Sequence, residues 1–115
     1  CATCHMGPAL GGMMYHKLGL VEPWPGLADE GRFKVTGVEA DKFKFKVPGL
    51  RNVEKTAPYL HDGSVAELPE VVRLMAKRQL GREISDEDVA AIVTFLKALT
   101  GEIPAEYIKK PDLPE

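Results

Sequence analysis

Two thiols and an imidazole share the first five residues, Cys1-Ala2-Thr3-Cys4-His5. Cysteines three positions apart on an opening helical turn face the same side. Each can add to one vinyl group of a single porphyrin. The residue directly behind Cys4 then projects its imidazole beneath the ring, within reach of an iron. C-x-x-C-H is the attachment pattern of c-type haem, and histidine on one face is standard haem ligation. Two other chemistries use paired cysteines. A thioredoxin-like redox pair needs a βαβ context, which the sequence lacks. A zinc site needs two further ligands; with no third cysteine, only His16 and His61 remain to supply them.

With His5 on one face, the opposite face of the iron is open or held by Met, His or another donor. The candidates are Met6, Met13, Met14, Met75, His16 and His61. Met6 adjoins His5 and cannot reach around the ring. Met13 and Met14 reach it only through a tight loop, and packing on the haem edge suits them better. Met75 lies 70 residues beyond His5, after enough chain to wrap a haem. Methionine also fills irregular gaps in cores, so spacing alone leaves ligand and core filler both open for Met75. His16 reads as a surface residue.

The elements that must position these groups follow from patterning. Met6 to Leu20 is rich in glycine and methionine, which lets backbone approach a flat ligand closely, so it is expected to wrap a haem edge. Val21 to Gly31, with Pro23, Trp24, Pro25 and Gly26, reads as surface loop. Lys42 to Val47 alternates, with Phe43, Phe45 and Val47 on one side and Lys42, Lys44 and Lys46 on the other, the mark of a short half-buried strand. Phe33 and Val35 are its expected partners in a small ribbon. One helix is predicted from near Pro69 to Gly81, with Pro in its first turn and Gly at its end. A last helix is capped by Ser85, carries Asp86, Glu87 and Asp88 at its positive end, and is closed by Gly101. Val89, Ile92, Val93, Leu96 and Leu99 form its apolar stripe. The class is mainly helical, with haem as the core.

Composition sets outer bounds. The 115 residues suit one domain, and 44% hydrophobic with 28% charged residues excludes wholesale disorder. A net charge of −2 argues against general nucleic-acid binding. No apolar run is long enough to span a membrane. Residues 32–55 hold seven basic and three acidic side chains, a local net of +4 that either steers an acidic partner or is an ordinary solvated face. Covalent haem attachment is extracytoplasmic chemistry, so the expected compartment is the periplasm. The chain opens on Cys1 with no helix ahead of the motif, which reads as a piece of a longer chain.

Longer stretches resemble one family. Phe45-Lys46-Val47-Pro48-Gly49-Leu50-Arg51-Asn52 and Thr56-Ala57-Pro58-Tyr59-Leu60-His61-Asp62-Gly63-Ser64 are similar to the C-terminal half of bacterial di-haem cytochrome c peroxidases. So are Leu74 to Gly81, Ala91 to Gly101 and the opening Cys1 to Gly12. The likeness implies a mainly α, cytochrome c-type domain wrapped around one covalently bound haem c, with a short β-ribbon. It covers residues 1–103, leaving 104–115 as a proline-containing tail. In the family, an N-terminal haem splits hydrogen peroxide and a C-terminal, high-potential haem receives electrons from a small donor, a cytochrome c or a cupredoxin. The chain matches the latter half only. The resemblance assigns Met75 as the distal ligand and Arg51 as the partner of a haem propionate. It makes Thr56 and Pro58 backbone donors to a calcium ion between the two domains, and puts His61 near the haem and the domain interface. Related haem proteins with tyrosine in the place of Met75 do different oxidative chemistry.

Three functions compete at this level. The first is the electron-transfer domain of a di-haem peroxidase, with an upstream haem domain in the same protein as its partner. The second is a stand-alone mono-haem electron carrier. The third is a binding module using C-x-x-C-H as a structural metal site. A homodimer is compatible with the first two.

Overall fold

The computed structural model describes residues 1–112. Its main packing unit is a pair of 13-residue helices, α2 (Leu68–Leu80) and α3 (Asp86–Ala98), preceded by the one-turn α1 (Phe33–Thr36) and followed by the one-turn α4 (Ala105–Ile108). Both long helices begin as their sequences dictate. Pro69 sits in the first turn of α2, where its missing N–H costs nothing. Gly81 closes α2 in the left-handed conformation (φ 64°), and its N–H bonds the Lys77 carbonyl at 2.8 Å. Ser85 caps α3, its hydroxyl accepting the Asp88 N–H at 3.1 Å. The predicted α3 stripe faces inward, with Val89 and Leu96 buried and Ile92, Val93 and Leu99 half-buried. The helix stops at Ala98, short of the expected Gly101, because Asn52 captures the chain there. The Asn52 N–H donates to the Leu99 carbonyl at 3.1 Å and its side-chain oxygen accepts the Gly101 N–H at 2.8 Å.

Tyr59, Val65, Leu68 and Leu96 form the buried cluster between these helices and the preceding loop. The core is thin. Seven apolar side chains are buried among the described residues, and no large one is fully enclosed. Domains of this size normally bury far more of their apolar surface, so the fold suits a chain whose core is shared with another apolar body.

The ribbon differs from expectation. Its strands are β1 (Tyr15–Lys17) and β2 (Lys44–Lys46), antiparallel, with Tyr15 opposite Lys46, His16 opposite Phe45 and Lys17 opposite Lys44. Phe33 and Val35 are not strand partners; they lie in α1. Gly37 closes that turn in the left-handed conformation (φ 65°), donating to the Phe33 carbonyl at 2.8 Å. Phe43 adopts φ 61° and delays the start of β2 to Lys44, so the strand is half the predicted length. Met6–Leu20 is likewise not one continuous wrap: 6–14 is loop and 15–17 is strand. His16 is half-buried on that strand rather than on the surface. The expected tail from 104 includes the exposed α4, with Tyr107 and Ile108 in solvent; its residues 113–115 lie outside the described residues.

The 6–14 loop is clamped to the segment after β2. Gly12 N–H donates to the Val47 carbonyl (2.8 Å), Val47 N–H to Met14 (2.9 Å) and Leu50 N–H to Ala9 (3.1 Å). Gly11 permits this approach, since at φ 140° a Cβ there would lie 2.0 Å from the Pro48 carbonyl oxygen. Gly26 also has positive φ, but faces open space. Gly11→Ala should therefore cost about 3 kcal/mol from strain plus clash, and Gly26→Ala only about 1 kcal/mol from backbone strain. Urea unfolding of both variants checks this; equal losses would contradict it.

Candidate functional site

Residues 1–5 form a single helical turn. The N–H groups of Cys4 and His5 both donate to the Cys1 carbonyl, at 3.1 and 2.9 Å. The turn sets Cys1 and Cys4 at i and i+3, and both thiols are free, Cys1 exposed and Cys4 half-buried. His5 follows immediately, and its orientation is fixed from outside the turn. Its Nδ1 lies 3.2 Å from the Leu10 carbonyl oxygen and 3.1 Å from that of Pro48. A carbonyl only accepts, so Nδ1 must carry the proton and Nε2 must present a lone pair. Burial pulls the His5 imidazole below its ordinary pKa, and the two carbonyls only partly offset this. The chain thus supplies a neutral imidazole in one tautomer with Nε2 available, the form a metal requires.

Arg51 joins the same cluster. Its Nε donates to the Pro8 carbonyl at 3.1 Å, which tethers the guanidinium over the loop behind His5. Its two terminal nitrogens make no hydrogen bond among the described residues, leaving them for two-point contact with a carboxylate.

The other predicted residues lie elsewhere. Met75 is half-buried on α2. The last turn of α2 grips the loop after β1, through Gln79 and Arg78, and Arg78 also lies 5.7 Å from the centre of the Trp24 ring. His61 stacks on Phe45, ring centres 4.2 Å apart, with Nε2 3.6 Å from an Asp29 carboxylate oxygen. Thr56 and Pro58 follow the short turn Val53–Lys55, exposed, and neither carbonyl accepts a hydrogen bond among the described residues. No three His, Cys, Asp or Glu side chains gather into a metal-binding group among the described residues.

The basic stretch 32–55 is largely answered by ion pairs. Arg32 and Lys44 pair with Asp41, Lys34 with Asp29 and Lys42 with Glu30, at 3.1–3.2 Å. Asp29 and Glu30 lie just outside the counted window, which is why the sequence showed an excess. Lys46 and Arg51 have no carboxylate partner among the described residues. The steering patch reduces to these two cations.

Against known proteins, the chain has clear counterparts. The chain is 49% identical over 115 residues to the cytochrome c551 peroxidase of Nitrosomonas europaea, covering 99% of this chain and 34% of that protein. It is 50% identical over 105 residues to the cytochrome c peroxidase Ccp of Escherichia coli, covering 88% of this chain and 23% of that protein. The chain is a relative of the bacterial cytochrome c peroxidases. It spans about a third or less of the length of the curated peroxidases it matches. A solved MauG-like protein associated with microbial copper homeostasis aligns with a TM-score of 0.72 at 28% identity, over 89% of this chain and 42% of that one. No family model matches the chain.

Likeness to cytochrome c peroxidases implies haem c, and the chain's own groups fit it. Two free thiols at the attachment spacing, an imidazole with Nε2 presented, an arginine with its fork unspent and a thin apolar core are the set that haem c uses. The cysteines should therefore hold the fold as well as the cofactor. The double variant Cys1→Ala, Cys4→Ala should lose covalent haem and several kcal/mol of stability, in line with an unfilled core. Limited proteolysis and circular dichroism check this; a protease-resistant, haem-free chain with full helix content would contradict it.

Sequence reasoning missed the Leu10 and Pro48 carbonyls and Gln79. Main-chain acceptors leave no trace in residue type. Gln79 left one signal, a polar side chain one turn beyond Met75.

Proposed function

We propose that this chain is the high-potential, electron-accepting haem domain of a bacterial di-haem cytochrome c peroxidase. Its partner is a haem domain upstream in the same protein, where peroxide is reduced. The carrying observation is the near end-to-end match to part of the peroxidases, together with an imidazole already locked for metal ligation. Bound haem c supplies a one-electron iron couple. The chain's residues determine what that couple does. Cys1 and Cys4 would tether the ring, His5 would bind the iron through Nε2, and Arg51 would hold a propionate. Met75 would give its thioether to the iron, which would raise the potential and leave peroxide no site. His61 would sit near the haem and the domain interface. The Thr56 and Pro58 carbonyls, which accept no hydrogen bond among the described residues, would supply hard oxygen donors to a calcium ion between the two domains.

The donor is a small cytochrome c or cupredoxin, and the compartment is the periplasm, where covalent haem is attached. No helix among the described residues is long and apolar enough to cross a membrane. Residues 1–103 form the haem domain and 104–115 a tail.

Met75→His should keep the iron six-coordinate and lower its potential by roughly 0.2 V, a fraction of the span that axial ligands command. Met75→Ala should open that face to water or added ligands. Redox titration and the visible spectrum check both; an unchanged Met75→Ala protein would remove Met75 from the site. The relay role is tested by steady-state peroxide reduction with one donor. Residues 1–115 alone should turn over on the order of 100-fold or more slower than a chain carrying the upstream haem domain, since Met75 would close the iron to peroxide and no acid–base pair stands beside it among the described residues. Comparable rates would make this haem the catalytic one.

A further inference from the structure

Gln79 stands one helical turn beyond Met75 on α2. Its side-chain oxygen accepts the N–H groups of both Gly19 and Leu20, and its side-chain nitrogen donates to the Lys17 carbonyl at 2.9 Å. Three of the four bonds a carboxamide can make are thus spent on the backbone of one four-residue stretch. The adjacent Arg78 reinforces the grip. Its carbonyl accepts the Val21 and Glu22 N–H groups at 3.0 and 3.2 Å, and its Nη1 donates to the Pro23 carbonyl at 2.6 Å. Gly19 lets this loop fold tightly on itself, because a Cβ there would meet the Trp24 nitrogen at 2.8 Å.

The loop held by Gln79 is not a free one. Lys17 is the last residue of β1 and pairs with Lys44 of β2. β2 runs directly into Val47, which bonds the Met14 carbonyl, and into Pro48, whose carbonyl takes the His5 Nδ1–H. A continuous hydrogen-bonded frame therefore runs from the Met75 turn of α2, through Gln79, β1 and β2, to the imidazole of His5.

We propose that Gln79 is a positioning residue that holds the Met75 turn at a fixed distance from His5, so that the Met75 sulfur resists displacement from the iron. This rests on Met75 being an iron ligand. A glutamine that merely stabilised the fold would lower the unfolding temperature without changing how readily outside ligands compete at the iron.

The test uses the haem-loaded protein and imidazole as the competing ligand, followed by loss of the weak far-red band of methionine-ligated ferric haem. Gln79→Ala removes all three bonds and should raise the apparent imidazole affinity about tenfold. Gln79→Glu keeps both acceptor bonds but loses the donor to Lys17, and should raise it about threefold. A Gln79→Ala protein that melts earlier yet binds imidazole as the parent does overturns the proposal. If that variant does not accumulate with haem, Gln79→Glu decides alone, and an unchanged affinity overturns it. Met75→Ala is run alongside. If it keeps the far-red band, the ligand assignment itself falls and the positioning role falls with it; if it loses the band while both Gln79 variants match the parent, only the positioning role falls.

Discussion

The hydrogen bond from His5 Nδ1 to two main-chain carbonyls is the constraint on which the site depends. Leu10 comes from the loop just behind the cysteines and Pro48 from the far end of the ribbon. Neither carbonyl can donate, so the imidazole is held in one tautomer and one orientation with Nε2 facing away. A histidine left to rotate would lose most of the advantage of standing directly after Cys4. Much of the surrounding architecture can be understood as holding those two carbonyls in place. Gly11 brings its loop against Pro48, and β1–β2 pairing carries Pro48 to that point.

The two halves of the domain do different physical work. The Tyr59, Val65, Leu68 and Leu96 cluster welds α2 and α3 into a rigid pair through apolar burial, which is nondirectional and tolerant of small shifts. The ribbon and its loops are joined to that pair by directional backbone bonds, six of them from Arg78 and Gln79 at the last turn of α2. Burial thus sets stability while hydrogen bonds set distance. That division suits a protein whose second apolar body is a rigid, flat cofactor, since a flat ring contributes area but cannot adjust its shape to a loose frame.

What could be read in advance follows from how far each signal reaches. The helical turn over Cys1, Cys4 and His5 was legible because the motif spans only five residues. The long helices were legible because Pro69, Gly81 and Ser85 mark their ends and Val89 to Leu99 repeats at helical spacing. The ribbon was only half legible. Tyr15-His16-Lys17 carries no apolar alternation, so β1 looks like loop, while Phe33 and Val35 alternate and yet form a helical turn closed by Gly37. The +4 excess around residues 32–55 was legible as a mostly solvated face, but its counter-charges Asp29 and Glu30 sit just beyond the window. The His5 acceptors were illegible in principle, because every residue has a carbonyl and only the fold decides which one points at the ring.

The proposed role stands on Cys1, Cys4 and His5 holding a covalently attached haem. The direct measurement is acid–acetone extraction of the purified protein, followed by the mass of the proteolytic peptide that begins at Cys1. The haem should stay with the protein, and one haem should be found on that peptide. Haem passing into the organic phase, or a peptide with both thiols free, would contradict it.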